Sequence, residues 1–61
     1  MNLIYSTTIE DTYSVYSESV YKDGQPTTIY YAERNGWSSG MYKIEPANTY
    51  YAALRILASL K

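Results

Sequence analysis

The sequence predicts an α+β fold: a three-stranded antiparallel sheet followed by one C-terminal helix, in the order β-β-β-α, as a single small domain over residues 1–61. Three observations predict it. Two turn signals, Asp23-Gly24 and Asn35-Gly36, separate runs rich in Tyr, Val, Ile and Thr. One segment, Tyr50–Leu60, apolar but for Arg55 and Ser59, follows a capping residue. The helix-period pattern occurs nowhere else, which sets the element count.

The first strand is expected over Thr12–Tyr21, where Tyr, Val, Ser and Thr roughly alternate. Asp23-Gly24 follows, and both residues tolerate the positive φ that a tight hairpin demands. The second strand is expected over Thr27–Arg34. Period-two alternation puts Ile29, Tyr31 and Glu33 on one face, and Thr28, Tyr30, Ala32 and Arg34 on the other. Gly36 is expected to supply positive φ in the next turn. A loop, Trp37-Ser38-Ser39-Gly40, leads to a short third strand over Met41–Glu45, with Tyr42 and Ile44 on one face; Pro46-Ala47-Asn48 is expected to break it. Asn48 or Thr49 caps the helix through a side-chain oxygen.

Within Tyr50–Leu60 only Arg55 and Ser59 are polar, and they form one narrow stripe. A helix on the outside of a monomer has a broad polar face instead. The second apolar side therefore predicts a two-fold interface between copies of the chain, built from Tyr50, Leu54, Ile56, Leu57 and Leu60. Size points the same way. A domain of about 60 residues buries only about 60% of its unfolded surface. Without cysteine no disulfide is possible, so association is the remaining source of buried area.

Composition narrows the function. Nine residues are tyrosine, and none is phenylalanine, histidine or cysteine. Tyrosine is the aromatic of surfaces that are half apolar and half wet, and it is enriched at protein interfaces. Lining a small sheet with tyrosine accounts for much of that content, but not for the lack of Phe. The missing His and Cys remove the usual metal ligands and the usual base of a nucleophilic triad. No phosphate-loop glycine pattern occurs. The chain is read as a non-enzyme without metal or cofactor. It carries no apolar run long enough for a transmembrane helix and no signal-peptide pattern at Met1–Tyr5, so a cytoplasmic protein with no membrane partner is expected.

The net charge of -1 is unevenly spread. Residues 1–33 hold five carboxylates against Lys22 alone; residues 34–61 hold four cations against Glu45 alone. An acidic module repels nucleic acid or imitates it. A sheet followed by a helix superficially resembles part of a double-stranded-RNA-binding domain. That family grips phosphates with lysines at the helix start, and this helix begins Asn48-Thr49-Tyr50-Tyr51. Nucleic-acid binding is not expected.

One stretch carries a family resemblance. Tyr30-Tyr31, Gly36, Ser38, Tyr42, Ile44 and Asn48-Thr49, followed by the helix, keep the ungapped spacing of the small uracil-DNA glycosylase inhibitors of some Bacillus phages. That family has Phe at the position of Tyr42 and Val at that of Ile44. Both chains have an Asp-Gly turn upstream and an Arg-Leu-like segment in the helix, here Leu54-Arg55-Ile56-Leu57. The resemblance implies a homodimer of sheet-plus-helix subunits that acts in the host cytoplasm as a DNA mimic. It also implies an apolar pocket at the dimer interface, which receives the side chain that the glycosylase wedges into the base stack. Tyr42 would be the pocket aromatic, and Tyr30 and Tyr31 the family's tyrosine pair. Two contacts do not carry over. The family's acid after the tyrosine pair is Ala32 here, with Glu33 one position later on the opposite face of a regular strand. A second family aromatic is Pro46 here, with Trp37, Met41 or Tyr51 as candidate replacements.

The expected partner-binding residues are therefore Tyr30, Tyr31, Glu33, Trp37, Met41 and Tyr42. Each has a plainer reading: Tyr42 as an ordinary sheet-face residue, Trp37 as a core plug, Glu33 as a solvated strand charge. The alternative function is a phage or antitoxin-like protein-binding module with another host target.

Overall fold

A computed structural model describes every residue except Ser38. The elements are β1 (Asn2–Ile9), β2 (Asp11–Lys22), β3 (Gln25–Asn35), β4 (Tyr42–Ala47) and α1 (Tyr50–Leu60). The strands form one antiparallel meander in the order β1-β2-β3-β4. The α+β class and the C-terminal helix stand; the sheet has four strands rather than three.

The additional strand is β1. Its apolar residues do not alternate, because Leu3, Ile4 and Tyr5 run together. The register shift between Leu3 and Tyr5 explains this, since Ile4 is the extra residue of a bulge. The reversal into β2 also lacks a sequence signal. Ile9 faces Asp11 with only Glu10 between them, and Glu10 takes φ +67° without being Gly or Asn.

The β2–β3 hairpin follows the alternation. Lys22 pairs with Gln25 around Asp23 (φ +53°) and Gly24 (φ +76°). Positive φ at both central residues makes a type I′ turn, whose twist matches that of the flanking strands. The β3–β4 loop differs from expectation. Positive φ there falls on Gly40 (+76°), not Gly36. Gly36 is needed for room instead, because a Cβ would meet the Met41 backbone oxygen at 2.6 Å and nitrogen at 2.7 Å. The strand after the loop also runs further than expected, through Pro46 and Ala47. β4 is an edge strand, where proline's missing donor is tolerated.

Thr49 is the N-cap of α1, with extended backbone and a side-chain oxygen that accepts from the Ala52 N–H at 3.0 Å. The helix lies chiefly over β3, and also over β2 and β4; β1 is outside its reach. The buried core is Tyr13 and Val15 of β2, Ala32 of β3, and Ala53 and Leu57 of α1. Tyr30, Ala47, Leu54, Ile56 and Leu60 pack around it. The molecule measures 41 × 17 × 15 Å. An 11-residue helix is about 16 Å long, so it leaves the outer half of the β2–β3 hairpin uncovered.

A polar cluster ties the elements together at the other end. Asp11, 2% exposed, accepts from Arg34 Nε, Arg34 Nη2 and Ser39 Oγ, each at 2.8 Å on the same oxygen. Arg34 Nη1 also donates to the Leu60 carbonyl at 2.9 Å, which occupies one of the orphan acceptors at the helix C-terminus. The Arg34 guanidinium and the Lys61 ammonium both approach the Tyr13 ring, at 5.6 and 5.7 Å. Arg34, and then Ser39, hold the Asp11 carboxyl below its ordinary value. Of the two neighbouring carboxylates, Glu10 turns the chain, and Asp11 bolts β2 to Arg34 of β3, which in turn holds the end of α1.

Candidate protein-binding surface

With the helix on one side, the other side of the sheet is open. The register assigns Thr12, Ser14, Tyr16, Glu18 and Val20 of β2, Ile29, Tyr31 and Glu33 of β3, and Tyr42, Ile44 and Pro46 of β4 to this face. Tyr16 sits directly opposite Tyr31, and Tyr31 opposite Pro46. Glu33 lies between Ser14 and Ile44 in the next row. The open face is therefore a tyrosine platform with carboxylates set into it.

Hydroxyls hold those carboxylates. Tyr42 Oη donates to Glu33 Oε2 at 2.8 Å, and Tyr31 Oη donates to Glu18 Oε1 at 3.3 Å. The hydrogen bond to Glu33 pushes the Tyr42 phenol up. Burial, and then the charge of Glu33, push Tyr16 up. Both phenols thus stay protonated beyond neutral pH and remain donors. A carboxylate anchored this way retains unused lone pairs that can accept further hydrogen bonds.

The cations sort by face, whereas the carboxylates do not: Glu18 and Glu33 lie on the open face, Asp11 and Glu45 on the helix side, and Glu10 and Asp23 in turns. Arg34 and Lys43 register opposite Tyr13 and each other on the helix side, and Arg55 and Lys61 belong to the helix and its end. Among the described residues the open face has one cation, Lys22, at the tip of the hairpin.

The structure brings together three of the six expected partner-binding residues: Tyr31, Glu33 and Tyr42. Tyr42 is 60% exposed, so it is not a core residue. Tyr30 turns to the helix side, where its ring meets Tyr50 with centroids 6.2 Å apart, and the tyrosine pair is divided between the two faces. Ala32 is fully buried beneath the helix. A carboxylate there would enter the core, so Glu33 is the acid of this stretch that can meet a partner. Trp37 (74% exposed) and Met41 stand out on the loop that enters β4, so Trp37 plugs no core. Ser38 lies outside the described residues.

Sequence reasoning missed Tyr16 and Glu18. The signal was present, since the Asp23-Gly24 turn fixes which residues of β2 share a face with Tyr31 and Glu33. The helix residues expected at a dimer interface are mostly used by the chain itself. Leu57 is 2% exposed against the sheet, Leu54, Ile56 and Leu60 are partly buried in the same core, and Tyr50 meets Tyr30. Outward the helix presents Tyr51, Arg55, Ala58 and Ser59, beside a shallow depression of about 380 Å³. Among the described residues, no helix is long and apolar enough to cross a membrane.

Compared with known proteins, the chain matches no family model, no curated protein and no solved structure.

Proposed function

We propose that the chain is a protein-binding inhibitor that imitates DNA on the open face of its sheet, and that its target is a uracil-DNA glycosylase of a phage host. The observation that carries this reading is the pairing of Glu33 with Tyr42 on an exposed, tyrosine-rich, acidic face. A glycosylase groove is built for an anionic backbone flanked by stacked aromatic bases. A sheet with fixed carboxylates among phenol rings offers both, on a scaffold that needs no ordering on binding. The resemblance to the phage inhibitors supplies the target.

Cleavage of a uracil-containing oligonucleotide tests the proposal. Molar excess of the chain should block a bacterial glycosylase, and raising the DNA concentration should relieve the block at equilibrium. Full cleavage by glycosylases from several bacterial hosts removes the inhibitor reading and leaves a binding module with another target.

A further inference from the structure

The two edges of the sheet are unlike. β4 carries Lys43, Glu45 and Pro46, which discourage another strand from pairing with it. β1 carries no charge and no proline over Asn2–Ile9, and Leu3, Ile4, Tyr5 and Ile9 are all exposed on it. Its one protective device, the bulge at Ile4, leaves Tyr5–Ile9 in regular register. The helix does not reach β1, so nothing among the described residues obstructs the space beyond this edge.

We propose that β1 pairs with β1 of a second copy, antiparallel about a two-fold axis at Thr7, which makes one continuous eight-stranded sheet. The segment Tyr5-Ser6-Thr7-Thr8-Ile9 is chemically self-complementary about its centre. Pairing around Thr7 sets Tyr5 of each copy against Ile9 of the other, Ser6 against Thr8, and Thr7 against Thr7. Aromatic against β-branched and hydroxyl against hydroxyl are favourable cross-strand pairs. The absence of charge lets the segment meet its own copy without repulsion. The helix-side flank of β1, left bare by α1, gains apolar cover from its counterpart. The two-fold interface thus moves from the helix to the sheet edge.

The chain has no cysteine, so one introduced thiol reports the register. Residues directly opposite on antiparallel strands have Cα atoms about 4.5–5.5 Å apart, within the span of a disulfide. Thr7→Cys should oxidise in air to a covalent dimer, while Tyr51→Cys on the helix should stay monomeric under denaturing electrophoresis. Sedimentation of the wild-type chain at micromolar concentration should give twice the chain mass. Ile9→Lys, at a site 61% exposed and so tolerant of folding, should weaken association at least about tenfold. Lys43→Thr on β4 should leave it unchanged. A wild-type monomer overturns the proposal, as does a dimer indifferent to Ile9→Lys with no Thr7→Cys cross-link. These readouts need no glycosylase, so a failure here is distinct from failure of the inhibitor reading.

Discussion

At the scale of single residues, the proposed inhibitor reading gives Tyr42 and Glu33 different roles. Tyr42→Ala should cost at least about 2 kcal/mol of target binding, as truncation of an anchor does. Its exposure means that thermal unfolding should change little. Glu33→Gln should slow association and flatten its salt dependence more than it speeds dissociation, because a surface charge acts mainly on encounter. It should also bring the Tyr42 phenol back down, read as phenolate absorbance in an alkaline titration. Glu10 gives a prediction of opposite sign for stability. A left-handed conformation costs a non-glycine residue about 1–2 kcal/mol, against about 0.4–1 kcal/mol of unfolded-chain entropy for glycine. Glu10→Gly should therefore raise stability, measured by denaturant unfolding.

Asp11 links residue chemistry to pH. Its folded-state carboxyl lies below the ordinary value, which is about 3.9 in an unfolded chain. The unfolded state therefore binds the proton first, and the Arg34 bond contributes its full stability above that value. The contribution is lost as pH falls toward the lower folded value. Acid unfolding monitored by circular dichroism should lose this component in Asp11→Asn, which should also be less stable at neutral pH.

At the scale of elements, Leu57→Ala should cost about 2–5 kcal/mol, because the side chain is buried among Val15, Ala32 and Ala53 with little room to collapse. Three of the four strands and the helix were legible in the sequence because each advertises itself chemically. Asp23-Gly24 announces a hairpin, alternation from Thr27 to Arg34 assigns faces, and Thr49 before an apolar run announces a helix. β1 was illegible because its bulge destroys the period-two pattern and its turn is made by a glutamate under strain. Pro46 misled because a residue barred from central strands is tolerated at an edge. Tyr31, Glu33 and Tyr42 were candidates through the family resemblance, and the strand register places all three on one face. Tyr16 and Glu18 join them through strand pairing, a relation between positions distant in sequence.

At the scale of the whole molecule, the cations gather on the helix side and leave the open face with Glu18 and Glu33 against Lys22. The open face should repel phosphates, so electrophoretic mobility shifts with single- and double-stranded DNA and RNA at low salt should show no binding in the micromolar range, where non-specific binders typically lie. Salt-sensitive binding there would instead place phosphates on the cationic helix side, along Arg55 and Lys61. The wild-type chain at low salt should also associate with its target faster than the Glu18→Gln Glu33→Gln double variant, with the difference vanishing as salt rises.

The meander has a consequence for motion. Because each strand bonds only to its neighbours in sequence, and β1 neighbours β2 alone, β1 can peel away while the helix stays seated on the other three. Such an opening is sub-global and needs far less free energy than complete unfolding. In dilute solution the β1 amides should be the first in the sheet to exchange with deuterium, well ahead of those of β3. Raising the protein concentration should slow exchange along Tyr5–Ile9 selectively, because each strand that peels away must then leave a second copy as well.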